Sequence, residues 1–219
     1  PTRRSSDLIL IPENPNCDTI GAAWGLYFIL KKRGIDPEIA FSGSPNEKFN
    51  FLPQPENILH KISGARDFVL SFDTRRNKIT NIRHEESEEK FEIYLTPEKG
   101  SLNPKDFSFI LAKFKYDLII SIGASDLEKL GRIYSENPDL FFEVPIVNID
   151  QKSENDNFGQ INLIDVMASS CSEMVANLIL ENYSELMDET AATCLLFGII
   201  GATESFQKKN TTPKALFVA

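Results

Sequence analysis

Asp7-Leu8-Ile9-Leu10-Ile11, followed at once by Pro12, Asn14, Pro15 and Asn16, decides how the rest of the chain is read. A short aliphatic run closed by Pro and Asn is a buried strand leading into a turn. A helix is expected to open at Cys17 or Asp18 and to reach Arg33. Gly34 stops it there, and Lys31, Lys32 and Arg33 complement the carbonyl end of its dipole. Ile20 to Leu30 is apolar apart from its glycines, so this helix should be buried on nearly all sides. Glu38 to Phe41 supplies the next strand. Strand, helix, strand is the start of a parallel sheet.

Further along, the pattern changes and then returns. Phe68–Phe72, Lys78–Arg83, Phe91–Leu95 and Phe107–Leu111 are strand-like runs separated by polar turns, with no helical period between them. Residues 64–114 are therefore read as a β-rich insertion, with Glu85–Glu89 as a solvated hairpin loop. Residues 1–63 and 115–219 make the α/β core. There the spacing predicts a strand over Tyr116–Ile122, a helix over Asp126–Asn137 and a strand over Val144–Ile149. Helices are expected near 169–183 and 188–206, and a last one from Thr211-Thr212-Pro213. The fold class is α/β: a doubly wound, mainly parallel sheet with a β-rich insertion. Ligands of such sheets sit beyond the carboxyl ends of the strands.

Composition narrows the function classes. The 219 residues carry 32 acidic and 23 basic side chains, a net charge of −9 with the Lys and Arg scattered. Such a field repels duplex nucleic acid and anionic membrane. The longest apolar run is about half a membrane span, and no signal core follows the basic start. Cys17, Cys171 and Cys194 are odd in number and far apart, which suits a reducing cytoplasm and matches no CxxC metal pattern. The lack of an initiator Met, and the ending at Phe217-Val218-Ala219, suggest part of a longer protein.

Four stretches fall at strand ends: 12–22, 123–131, 150–172 and 198–206. Within them stand Asn148-Ile149-Asp150, the run Asn157-Phe158-Gly159-Gln160-Ile161-Asn162-Leu163-Ile164-Asp165, and Ala168-Ser169-Ser170-Cys171-Ser172-Glu173. Ser205-Phe206 precedes Asn210-Thr211-Thr212-Pro213. In this order and spacing the chain resembles the DHH phosphoesterases, the family of RecJ-type exonucleases, oligoribonuclease/pAp phosphatases and cyclic-dinucleotide phosphodiesterases. The resemblance implies the family's α/β N-terminal domain. It also implies that the smaller C-terminal domain, which grips the substrate, is absent from this chain.

Active members, by the same resemblance, hydrolyse phosphoesters with two Mn²⁺ ions held by His and Asp. Anionic oxygen and imidazole ligands let such metals activate water and clamp phosphate. Here the first motif has Pro12 in place of His and Asn16 in place of its first Asp, keeping Asp18 and Gly21. The second has Gly123 in place of Asp, with Leu130-Gly131 still following. The DHH triplet reads Asp150-Gln151-Lys152, and the Asp-Thr pair reads Ala202-Thr203. Pro12, Asn16, Gly123, Gln151, Lys152 and Ala202 are thus lost ligand positions, while Asp18 and Asp150 survive. His60 and His84, the two histidines of the chain, lie at no strand end of the core.

No catalytic residue and no cofactor is therefore expected, with Mn²⁺ required only if the site is active. Asp18, Asp150, Asn16, Gln151 and Lys152 form the vestigial site. Ser170, Ser172 and Asn157 are candidates for binding substrate through hydroxyl, amide and backbone N–H groups. Plain structural readings stand beside these: Asp18 as a helix N-cap, Asp150 as a turn cap, and the serines as the start of a helix. Lys152 either stands in for the lost cations beside the surviving carboxylates or turns to solvent. Three functions remain open. One is a degenerate member that keeps nucleotide or phosphate binding or an assembly role. Another is an active phosphoesterase on short oligonucleotides or nucleotide phosphates with a rebuilt metal site. The last is a protein-interaction module. The matching partners are a nucleotide or short oligonucleotide, a second copy, or another protein.

Overall fold

The computed structural model describes residues 6–43, 49–63, 66–75 and 77–219. The basic start of the chain and the first two residues of the expected insertion, Gly64 and Ala65, lie outside the described residues. Two compact units emerge, one of Pro1–Ala65 with Phe114–Ala219 and one of Arg66–Lys113.

The larger unit is built on six parallel strands in the order β10-β9-β8-β1-β2-β3. They are β1 (Asp7–Leu10), β2 (Glu38–Ala40), β3 (Ile58–Leu59), β8 (Leu118–Ile122), β9 (Ile146–Asp150) and β10 (Ile161–Ile164). The side-chain alternation of a strand appears directly in β1. Ile9, with Ile11 just beyond the strand, joins a core formed with Trp24, Ile120 and Leu195, while Leu8 and Leu10 join another with Ile119, Ile133 and Leu140. Helices α1 (Cys17–Lys32), α4 (Cys171–Asn182) and α5 (Glu189–Ala202) cover the first face. The short α2 (Arg132–Ser135) and α3 (Pro138–Glu143) cover the second. That is the doubly wound arrangement. Because β2 and β3 extend to one side of β1 and β8 to β10 to the other, the chain reverses direction across the sheet between β1 and β8. A crevice opens there at the carboxyl ends.

Helix α1 opens with a reciprocal cap: Asn16 Oδ1 accepts the Thr19 N–H at 2.9 Å, and Thr19 Oγ1 accepts the Asn16 N–H at 3.0 Å. Asn16, rather than Cys17 or Asp18, is its N-cap. Small residues let α1 lie close against α5. A Cβ on Gly21 would stand 2.6 Å from the Cys194 carbonyl oxygen, and one on Gly201 would stand 2.4 Å from Cys17 Cβ. This approach brings the start of α1 beside the end of α5.

The single helix expected over Asp126–Asn137 is broken. A 3-10 turn over Leu127–Leu130, capped by Asp126, ends at Gly131 with φ +60°, after which α2 and α3 follow. Gly131 also lies where a Cβ would meet Glu13 and Ser42, so an ordinary helical residue does not fit. Strands β3 and β10 are additional to the expected ones; one is two residues long and the other, Ile161–Ile164, is four, with Asn162 among its aliphatic residues. Helix α5 ends at Ala202, followed by positive φ at Glu204, Ser205 and Phe206.

In the smaller unit, β5 (Ile79–Glu86) and β6 (Phe91–Pro97) form an antiparallel hairpin, and β4 (Arg66–Phe72) pairs with β7 (Phe107–Phe114). The acidic run is not wholly loop: Glu85 and Glu86 complete β5, and the turn is confined to Ser87–Lys90. No helix among the described residues is long and apolar enough to cross a membrane.

Candidate functional site

At the switch point two hollows share Asn16. One, of about 290 Å³, is lined by Pro12, Asn16, Thr19, Gly123, Lys129 and Lys152, among others. The other, of about 310 Å³, is lined by Asn16, Asp18, Gln151, Ser169, Ala202, Lys208 and Asn210, among others. The six altered positions therefore gather around the same carboxyl edge as Asp18. Asp150 ends β9 there and is fully buried.

Asp18 is held by the wrong partners for a metal ligand. Its two carboxylate oxygens accept the backbone N–H groups of Cys171 and Ser172, each at 2.8 Å. These are the first two residues of α4, so the carboxylate answers the unpaired donors and the positive end of that helix. Burial pushes its pKa up, against the downward pull of the Ser172 and Cys171 amides. Asp18 thus caps a helix, but α4 rather than its own.

Asp150 is satisfied in another way. Its Oδ1 accepts the Gln151 N–H at 2.8 Å, and its Oδ2 accepts the side-chain amide of Asn155 at 2.9 Å. Asn155 also donates to the Ala124 carbonyl at 3.0 Å, and its own oxygen accepts the Asn148 amide at 2.7 Å and the Asn157 N–H at 2.9 Å. Asn148 continues to Asn162 at 3.1 Å. This buried amide chain fixes the loop between β9 and β10, where Asn157 takes a left-handed φ of +54°.

Each carboxylate oxygen thus already accepts one neutral N–H donor and keeps a single further lone pair. Lys152 makes no ion pair with Asp18 or Asp150; its amine reaches the Gly123 carbonyl oxygen at 3.4 Å. Of the two readings of Lys152, the structure is nearer the second: the residue is exposed, and backbone and asparagine N–H groups satisfy the carboxylates. Lys152 is still near enough to act through space. The Cys171 thiol is pushed far up by burial and by Asp18 and Asp150, and Lys152 opposes that shift.

Ser170 and Ser172 are likewise consumed internally. Both are fully buried. Ser170 Oγ caps α4 by accepting the Glu173 N–H at 2.9 Å, and Ser172 Oγ donates to the Asp18 carbonyl at 3.0 Å. Their expected contact with substrate does not fit this arrangement. Asn157 stays on the surface, with its side-chain amide turned back to the Asn155 carbonyl at 3.1 Å. Gln151 Oε1, in the second hollow, is a buried acceptor without a donor among the described residues.

Sequence reasoning missed Asn155, the hub of the network, and Glu173. The latter is buried and accepts from Ser169 and from Thr212 Oγ1 at 3.0 Å, tying the segment before α6 (Pro213–Val218) to α4. The clustering of Asn148, Asn155, Asn157 and Asn162 was the available signal for the network. Two Mn²⁺ ions do not fit this donor set. Both surviving carboxylates are engaged by N–H donors. His60, contrary to expectation, does follow a core strand, β3, but its Nδ1 faces the Phe41 carbonyl at 3.3 Å and it lines neither hollow. Among the described residues no group of three His, Cys, Asp or Glu stands close enough to hold a metal.

A doubly wound parallel sheet with a polar hollow at its switch point defines the class: an α/β domain of the kind whose ligands sit beyond the carboxyl ends of the strands. Solved structures share the fold. An exopolyphosphatase-related protein from Bacteroides fragilis superposes with a TM-score of 0.64 at 15% identity, over 99% of this chain and 51% of that one. A putative family II inorganic pyrophosphatase from Methanococcus jannaschii gives 0.56 at 18%, over 97% and 53%. In sequence, the chain is 35% identical over 74 residues to a probable bifunctional oligoribonuclease and PAP phosphatase, NrnA, of Streptococcus mutans. The match spans 34% of this chain and 24% of that protein. No family model matches. The chain thus spans about half the length of these structures and aligns with about a quarter of the curated relative. The structures establish the fold. The sequence match, over a third of the chain, is to a protein of the kind that the order of the motifs resembles.

Proposed function

We propose that this domain has lost two-metal hydrolysis and binds a phosphate-bearing nucleotide, or a short oligonucleotide end, without metal. The observation that carries the reading is the double capture of Asp18 by the α4 amides and of Asp150 by Asn155 and the Gln151 amide. Hydrolysis in the family's manner needs those lone pairs for cations. Lys129 and Lys152 stand at one hollow beside Glu13 and Glu128, and Lys208, paired with Glu204 at 3.5 Å, stands at the other; these amines are the groups a phosphate could meet without a metal. The buried Gln151 oxygen offers an acceptor for a ligand N–H or O–H. Three free thiols support a reducing, cytoplasmic setting.

The test is thermal stabilisation by pAp, a dinucleotide and inorganic phosphate in EDTA. A ligand at ~100 Kd adds about 2.7 kcal/mol, which for a chain of this size raises Tm by roughly 5–10 °C. Lys152→Ala and Lys208→Ala should each weaken that shift. No stabilisation by any of the three, or stabilisation untouched by both substitutions, would reject the reading.

A further inference from the structure

The unit Arg66–Lys113 has no interior of its own: not one of its described side chains is buried. Its two strand pairs form one continued ribbon. Between them, the Asp73 N–H donates to the Asp106 carbonyl at 3.0 Å, and the Asn77 side chain donates to the Lys99 carbonyl at 2.6 Å. Each half has an apolar face. On the hairpin, Ile82, His84 and Glu86 stand opposite Leu95, Ile93 and Phe91, so the pleat puts all of these on one side. The other side carries Arg83, Glu85, Tyr94 and Glu92. At the foot, Phe68 stacks on Phe109 with ring centres 5.7 Å apart, and Phe72 meets Phe107 at 4.8 Å. Phe68, Phe109, Ile82 and Phe91 are 66, 70, 66 and 60% exposed. A two-stranded ribbon with so many exposed large apolar side chains is marginal alone in water.

Charge says what covers it. Residues 66–113 carry nine basic and nine acidic side chains, so the ribbon is neutral and the whole net charge of −9 lies on the rest of the chain. Within the ribbon the charges are sorted. The hairpin, 79–97, has five acidic and two basic groups; the remainder has four acidic and seven basic. One end is therefore −3 and the other +3. A ribbon of this kind is complementary to its own copy turned end for end, which is the relation a two-fold axis imposes.

We propose that residues 66–113 are a dimerisation arm that lies antiparallel on the same ribbon of a second copy, apolar face to apolar face. Each acidic tip then meets the partner's basic foot.

Sedimentation equilibrium of the full chain tests this. The wild type should be a dimer at micromolar concentration. Phe68→Ser with Phe109→Ser should weaken it on the order of 30-fold or more, as loss of central aromatic anchors does. Circular dichroism should be unchanged, since neither side chain is buried. Glu85→Lys with Glu88→Lys should also weaken it, and adding Lys78→Glu with Lys99→Glu should restore it; only end-for-end pairing produces that rescue. A monomer at 100-fold the expected working concentration (roughly 100 µM, against the micromolar range of ordinary complexes) would overturn the proposal. So would a dimer indifferent to the Phe substitutions, or the absence of charge-reversal rescue.

Discussion

Asp18→Asn isolates the interaction that replaces the metal. The amide is isosteric with the carboxylate, so packing is preserved. Its one oxygen keeps either the Cys171 or the Ser172 N–H, both now at 2.8 Å, and its NH₂ is set against the other. A buried N–H left without an acceptor costs about 1–3 kcal/mol, and loss of the anion at the start of α4 adds about 0.3–2 kcal/mol. Burial outweighs the amides in setting the charge of Asp18, so removing its desolvation offsets the anion term and the orphaned N–H leaves a net loss of about 1–3 kcal/mol. The pH dependence checks the sign. Burial holds the folded Asp18 pKa above its ordinary 3.8. The folded state then binds the proton more tightly than the unfolded one. The associated stability is fully present below 3.8 and is lost as pH rises through the folded value. Asn cannot titrate, so the difference between wild type and variant should narrow as pH rises across that window. Urea denaturation at a series of pH values measures it. A gap that widens with pH would mean that the α4 amides outweigh burial, and no destabilisation at any pH would refute the capping role.

Two further outcomes follow from the same geometry. Gly123→Asp, the obvious way to restore a lost ligand, should destabilise rather than reactivate. Gly123 has φ +74°, and its Cβ would stand 2.5 Å from Thr19 Cγ2, so left-handed strain of about 1–2 kcal/mol joins an overlap of about 1–3 kcal/mol; unchanged Tm would contradict this. Thiol labelling of the native protein should modify Cys17 alone, because Cys171 is buried and pushed far up and Cys194 is pushed up to about 12. Rapid native labelling of Cys171 would show that the packing around Asp18 is wrong.

The parallel core was legible because its signals are local and strong. The aliphatic run before Pro12 and the all-round apolar α1 admit few other readings, and the structure places both as the sequence implies. The break at Gly131 was not legible, because it depends on Glu13 and Ser42 lying against it from distant parts of the chain. At the site, the altered positions could be read from motif spacing. What took their place could not. Asp18 is 153 residues from Cys171, and capping α4 rather than α1 is a tertiary fact. Ser170 and Ser172 look like phosphate ligands in sequence, yet the same polar groups suit a helix start, and only burial decides between the two.

Calorimetric titration of Mn²⁺ into the EDTA-stripped protein reaches the central claim most directly. With Asp18 and Asp150 each held by N–H donors and Lys152 beside Gly123, no stoichiometric binding should appear at micromolar Mn²⁺. Saturable micromolar binding of one or two ions per chain would contradict the account and return the domain to the working phosphoesterases.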